Sequence, residues 1–254
     1  MTLPHRLDRT VSIRAPRETV FRFFTDSARW AAWWGKGSTI DARPGGVVSI
    51  RYPDGTEAAG EVLDLRPPER IAFSYGFVSG KPFPSGGSRV TMDLEADGAG
   101  TRLTLSHEFP DAAARDEFVQ GWRYQLSLFA NLVADEVNAG AGGVIDEWFA
   151  SWRETDADIR ERSLARIAIP DVQFRDRFGC TAGIGDLLPH IAAAQRFMPN
   201  IQMERRGDVR HCQGTALVDW VALTGDGQER AAGTNVFVFG ADGRIESVTG
   251  FWKM

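Results

Sequence analysis

The sequence predicts two consecutive α+β domains, and three observations carry that prediction. The segment Asn138-Ala139-Gly140-Ala141-Gly142-Gly143 has no side chain able to bury much area and lies between two helical stretches, so it divides the 254-residue chain near residue 140. Each side, at roughly 115–140 residues, is long enough for a core of its own. Both sides mix segments of period-two hydrophobicity, separated by turn residues, with segments of helical spacing. The expected organisation is a first domain over residues 1–138, a linker over 139–143 and a second domain over 144–254.

In the first half, Val11 and Ile13 alternate with polar neighbours, so residues 7–14 read as a strand. Ala15-Pro16-Arg17-Glu18 opens a helix, with proline near its first turn, which runs through Val20, Phe21, Phe23 and Phe24. Period-two segments follow at Val48/Ile50, Glu57–Leu65, Ile71/Phe73/Tyr75/Phe77, Val90/Met92/Leu94 and Leu103/Leu105/His107/Phe109. The turns between them, such as Pro44-Gly45-Gly46, Pro53-Asp54-Gly55 and Gly86-Gly87, are short enough to favour antiparallel hairpins. Asp111 then caps a long helix to about Val137, with Phe118, Trp122, Leu126, Phe129 and Val133 at helical spacing.

The second half places its helices first. Residues 144–155 and 158–167 are helical, Val172 and Phe174 belong to a short strand, and 184–197 form another helix ended by Pro199. Four strands follow at about 201–210, 214–223, 231–239 and 244–252, the last pair joined by Ala241-Asp242-Gly243. Helices first and a meander afterwards imply a sheet curled around a helical layer.

Composition narrows the function classes. Apolar residues make up 43% and charged residues 25%, as in ordinary soluble globular proteins. The net charge of −5 is shared: residues 1–139 carry 16 basic and 18 acidic side chains, residues 140–254 carry 13 and 16. Neither half has the basic excess of a nucleic-acid footprint. No apolar run of about 18 residues spans a membrane, and Met1 to Arg6 lacks the apolar core of a signal peptide, so the expected location is cytoplasmic. Two cysteines exclude a disulfide scaffold. Cys180, His190, His211 and Cys212 show no metal-ligand spacing, the glycine run lacks the context of a phosphate loop, and no nucleophile is paired with a base. Neither a metal nor a cofactor is expected. The unusual feature is aromatic: eight Trp and sixteen Phe, residues that suit apolar pockets with a few polar contacts.

The first half resembles the bacterial SRPBCC superfamily, in its branch related to the activator of Hsp90 ATPase. The matching residues include Ala15-Pro16, Val20-Phe21, Thr25-Asp26, Trp33-Trp34, Pro44-Gly45-Gly46, Ser88-Arg89-Val90-Thr91, the run from Gly100 to His107, and Gly121-Trp122. The resemblance implies a helix-grip fold, in which an antiparallel sheet wraps a long C-terminal helix over a cavity. The second half resembles the SnoaL-like branch of the NTF2-like superfamily, through Val144 to Phe149, Asp171 to Asp176, Arg206-Gly207-Asp208-Val209, Trp220, Gly233-Thr234 and Asp242 to Trp252. It implies a cone-shaped α+β barrel with a pocket at its open end, and a homodimer formed through this domain. Both folds host enzymes and binders, so the site has to decide between them.

The NTF2-like superfamily contains ketosteroid isomerases, and the resemblance places Asp176 where those enzymes keep their general base. Asn235, eight residues before Gly243, takes the place of a protonated Asp that donates to the oxyanion, a task a neutral amide can also perform. Trp148 stands where they have a Tyr; its indole N–H donates from a different point and exchanges no proton near neutral pH. The residues themselves agree in part. If the segment is extended, Val172, Phe174 and Asp176 share the inward face and Arg175 and Arg177 the outward one. Asp176 then either removes a proton alpha to a carbonyl, with Asn235 or Trp148 stabilising the enolate, or simply fixes a turn beside Gly179. Asp219 is a rival acid, but on the strand face opposite Trp220.

In the first half His107 shares a face with Leu103 and Leu105 and points inward, either as a ligand contact or as a satisfied core residue. Trp33, Trp34, Tyr75, Phe77 and Trp122 either line a cavity with it or form ordinary core. Trp148, Trp152, Phe174 and Trp220 stand in the same relation to a second cavity. The reading is binding of small hydrophobic or aromatic ligands, polyketide- or steroid-like, in two apolar cavities, with isomerase- or cyclase-type proton transfer at Asp176. The competing reading is a non-catalytic sequestering or chaperone-associated regulatory protein.

Overall fold

The computed structural model describes residues 2–253, so the outermost residues of the two expected domains, 1 and 254, lie outside the described residues. The chain forms two compact units that divide between Ala134 and Asp135. Both are α+β.

The first unit begins with β1 (His5–Ile13), followed by α1 (Arg17–Arg22) and α2 (Ser27–Trp34). Six strands follow: β2 (Thr39–Ile40), β3 (Val47–Arg51), β4 (Glu57–Arg66), β5 (Arg70–Tyr75), β6 (Ser88–Asp97) and β7 (Gly100–Phe109), and then the long helix α3 (Ala112–Val137). The sheet runs β1-β7-β6-β5-β4-β3-β2 and every pairing is antiparallel. Alternation decides its faces. On β7, Leu103, Leu105, His107 and Phe109 are buried while their neighbours are not. Asp111 caps α3 by accepting from the Ala114 amide at 2.8 Å.

The helix expected after Pro16 is α1, and a second, unforeseen helix follows it. Asp26 turns its carboxylate onto the Arg29 amide, 2.9 Å away, and starts α2 with Trp30, Trp33 and Trp34 buried. The rings of Trp33, Phe23 and Phe24 meet Phe129 of α3, which stacks on Phe24 at 5.1 Å and stands edge-on to Trp33 at 4.9 Å.

The second unit comprises α4 (Ala141–Arg153), α5 (Ala157–Ile167), β8 (Ala168–Arg175), β9 (Cys180–Ala182), α6 (Ile184–Phe197), β10 (Gln202–Cys212), β11 (Thr215–Leu223), β12 (Glu229–Phe239) and β13 (Ile245–Lys253). The glycine run read as a linker is corrected here. Gly140 is the N-cap of α4, and Ala141 to Gly143 form its first turn. Burial of Ile145, Trp148 and Phe149 along one face offsets the roughly 1 kcal/mol that each glycine costs a helix. Asp156 caps α5 by accepting from the amides of Asp158 and Ile159.

The sheet runs β10-β11-β12-β13-β8-β9, with β8 parallel to β13 and the other pairings antiparallel. A parallel pair needs a long crossover, and the helix α6 with the meander supplies it. The core lies between α4, α5 and α6 and the inward face of the sheet, where Val172, Phe174, Val218, Trp220, Phe237 and Val248 are buried.

Candidate functional site

The second unit encloses a cavity of about 490 Å³, and the residues singled out from the sequence for this unit, Trp148, Trp152, Phe174, Asp176, Trp220 and Asn235, are in its wall. Helical spacing puts Trp148 and Trp152 on one side of α4, their ring centroids 6.3 Å apart, with Phe174 of β8 at 6.1 and 5.2 Å from them. Alternation along β8 brings Asp176 to the same wall as Phe174, while Arg175 and Arg177 are exposed. Asn235, buried on β12, sits opposite Gly250 of β13, and Trp220 on β11 opposite Gly233. A Cβ on Gly233 would lie 2.5 Å from Cζ2 of Trp220, so the indole occupies the space of the missing side chain.

Asp176 performs the turn-fixing task and more. Its Oδ1 accepts from the amides of Phe178 at 2.7 Å and Gly179 at 2.8 Å, and its Oδ2 accepts from the Trp252 indole at 3.1 Å. A carboxylate has about four acceptor sites, so one remains on Oδ2, on a half-buried residue that lines the cavity. The rival Asp219 takes no part in the cavity wall. It accepts from the Thr234 hydroxyl, which holds its carboxyl below the usual range.

Trp252 and His190 are among the residues of this wall that the sequence reading missed. Trp252 follows Val248 and Gly250 on the inward face of β13, so extending the alternation would have found it. His190 lies on α6 beside the buried face Leu187/Ile191, with its ring 5.9 Å from that of Trp152 and 5.5 Å from that of Phe174. It packs directly on Gly179, where a Cβ would come within 2.3 Å of the imidazole. Contact between α6 and the loop after β8 leaves no local sequence signal. Phe178 and Phe197 line the cavity and are 67% and 87% exposed, which marks its mouth.

Two indole N–H groups in this wall, those of Trp152 and Trp220, are buried and have no hydrogen-bond partner. Trp252 gives its N–H to Asp176. Trp148, placed by resemblance at the oxyanion position, is not among the orphaned donors.

The first unit divides its predicted cavity residues. Trp33, Trp34 and Trp122 line a smaller space of about 250 Å³ with Tyr52, Phe118 and Gln125, and the buried Trp34 N–H there has no partner. Tyr75, Phe77 and His107 are outside it, which corrects the expectation that they line it. Phe83, Phe109 and Phe118 fill the space over that part of the sheet: Phe109 lies 3.8 Å from the His107 ring and Phe118 5.1 Å from it. Tyr75 and Phe77 both meet Phe83, at 6.1 and 5.7 Å.

His107 is fully buried and fully satisfied. Trp122 donates its indole N–H to Nδ1 at 2.9 Å. The Ser88 hydroxyl gives its proton to the Tyr75 carbonyl at 2.9 Å, which leaves its oxygen to accept from Nε2–H at 2.8 Å. This chain of donors fixes the neutral Nε2–H tautomer, and burial pushes the pKa down to about 3. His107 is therefore a core residue, with no free nitrogen for a ligand or a proton transfer.

Among the described residues no three His, Cys, Asp or Glu side chains converge to hold a metal ion. No helix of the described residues is long and apolar enough to cross a membrane.

Residues 14–134 match the family model of the activator of Hsp90 ATPase homolog 1-like proteins, AHSA1. A SnoaL-like family protein from Agrobacterium tumefaciens strain C58 is similar at 22% identity, over 44% of this chain and 96% of its own, with a TM-score of 0.43. CalU16 from Micromonospora echinospora is similar at 26% identity, over 49% and 75%, with a TM-score of 0.41. Protein CV1439 from Chromobacterium violaceum is similar at 28% identity, over 51% and 97%, with a TM-score of 0.44. No curated protein matches the sequence.

Proposed function

We propose, for a chain that joins an AHSA1-like unit to a SnoaL-like one, that the second unit binds an apolar, ring-bearing small molecule in its 490 Å³ cavity. The observation that carries this reading is the wall itself: four indoles and Phe174 supply apolar area, and Asp176, Asn235 and His190 are the few polar groups among them. That balance is the usual one for small-molecule sites, and the volume falls in their range. The 250 Å³ space of the first unit, with Trp33, Trp34 and Trp122, is the smaller candidate.

A catalytic extension has a specific basis. Asp176 keeps one acceptor site toward the cavity, and the Asn235 amide is in the same wall as a donor for a developing oxyanion. The carboxylate removes a proton alpha to a ligand carbonyl, the electron pair moves onto the oxygen, and the same carboxylate returns the proton at another carbon. The non-catalytic reading rests on the same carboxylate, because three N–H donors already engage it as a structural acceptor.

Native mass spectrometry of the full chain purified from its own host tests binding: a co-purifying apolar molecule supports the reading. Conversion of 5-androstene-3,17-dione to the conjugated ketone by wild type and Asp176→Asn separates the two versions. Loss of at least 100-fold in the variant supports a base. Equal rates, or none in either, leave the cavity as a binding site alone.

A further inference from the structure

We propose that the second-unit cavity takes a cation, an alkylammonium ion carried on an apolar ring body, with Asp176 as its counter-ion and the Asn235 carbonyl as a second acceptor. The inference rests on the binding reading above and adds to it the charge of the ligand. It takes the version of that reading in which Asp176 binds and abstracts no proton.

Charge in this wall is one-sided. Asp176 is half-buried, and no Lys or Arg lines the cavity with it. Its sequence neighbours Arg175 and Arg177 are exposed. Among the described residues Asp176 forms no ion pair, not even with His190, the other titratable side chain of the wall. Its three donors are the neutral N–H groups of Phe178, Gly179 and Trp252. A carboxylate partly withdrawn from water among aromatic rings is costly until a cation neutralises it.

The acceptors converge as well. A Cβ on Gly250 would lie 3.1 Å from Oδ1 of Asn235 and 3.2 Å from Cβ of Asp176, so the two side chains flank one position on β13. Asn235 is 5% exposed, yet its amide makes no side-chain hydrogen bond among the described residues. Unlike the indole nitrogens of Trp152 and Trp220, its polar atoms are not sealed into the packing, and they open onto the cavity that Asn235 lines. Native structures rarely leave so buried an amide unpartnered. An ammonium group supplies what both side chains lack: N–H donors for Asn235 and for the remaining site on Oδ2 of Asp176, and a positive charge.

The rings suit the same ligand. Trp252 stands at 82° to Trp220, 4.9 Å away, and at 89° to Phe178, 5.0 Å away. Aromatic faces attract an ammonium ion, and aromatic area covers its hydrocarbon body. A carboxylate ligand would meet like charge, and a neutral one would leave Asp176 without a counter-ion.

The test titrates the full chain at pH 7 by calorimetry with 1-adamantylammonium, 1-adamantanol and 1-adamantanecarboxylate. The three probes share one rigid apolar body and differ in the head group. The ammonium is expected to bind at least roughly tenfold more tightly than the alcohol, and the carboxylate most weakly, as a charge-assisted bond to an unneutralised carboxylate predicts. In the ¹⁵N-labelled protein the ammonium should move the Trp252 indole N–H resonance, because that group shares Oδ2 with it. Asp176→Asn keeps an oxygen for the Phe178 and Gly179 amides and removes the charge; it is expected to cut the preference for the ammonium to about threefold or less. Should the variant fail to fold, the wild-type ranking and the Trp252 resonance decide. Equal affinities for ammonium and alcohol, a tighter carboxylate, or a preference that survives Asp176→Asn overturns the cation assignment and leaves the binding reading standing. If none of the probes binds, the binding reading falls and the cation assignment with it.

Discussion

Acidification should destabilise the first unit through one side chain, His107. Its imidazole is neutral, fully buried and bonded to Trp122 and Ser88, with a pKa pushed down to about 3. In the unfolded chain the ordinary value of about 6.5 applies. A depressed folded-state pKa means that the unfolded state takes up the proton first. The contribution is therefore intact above pH 6.5 and is lost progressively as pH falls from 6.5 toward 3. From pH 7 to 4.5 the loss is about 2.5 kcal/mol, a large share of the roughly 5–15 kcal/mol that holds a domain.

The perturbation is His107→Gln, which keeps an amide able to donate and accept but cannot titrate. At pH 7 the variant should be less stable by about 1–3 kcal/mol, because an amide does not reproduce both bonds at once. At pH 4.5 the gap should close by about 2.5 kcal/mol, since only the wild type has lost the term. Urea unfolding at both pH values measures the gap, and native-state hydrogen exchange at the amides of β6 and β7 assigns it to the first unit. Parallel pH profiles for the two proteins would refute the buried neutral imidazole.

Two further outcomes follow from side-chain packing. Gly233→Ala places a methyl carbon 2.3 Å from the Phe251 carbonyl oxygen and 2.5 Å from the rigid Trp220 ring, so the backbone of β13 and the ring must both shift; a stability loss of at least about 1–3 kcal/mol by chemical denaturation, with a moved Trp220 indole resonance, is expected. Trp34→Phe removes an unpaired buried N–H in the first unit, and its measured cost should stay below the roughly 3–5 kcal/mol typical of deleting a large core aromatic. A larger loss would mean that the Trp34 N–H has a partner in solution.

Local pattern carried the elements far. The spacing of Phe118, Trp122, Phe129 and Val133 marks α3, the interval 184–197 matches α6, and the four last strands match β10 to β13 within two residues. Where expectations failed, side-chain contacts that periodicity does not record were the reason. The Asp26 cap started a second helix, α2, where none was assigned, and burial of Ile145 and Trp148 drew a glycine run into α4. Phe83, from the segment between β5 and β6, helped close the space where Tyr75, Phe77 and His107 were expected to meet a ligand.

The sequence by itself determined the α+β class, the two-part chain and which strand faces turn inward, because periodicity records burial residue by residue. It could also bring Asp176, Phe174, Trp148, Trp152, Trp220 and Asn235 to inward faces. Only the tertiary structure decided that these six share one cavity, that Trp252 and His190 join them, and that two of the indoles stand there without acceptors. Inward direction is a local property of a strand or helix. Whether inward side chains meet one another or leave space between them depends on the summed volumes of residues far apart in the chain, and those volumes filled the region around His107 and left the one beside Asp176 open.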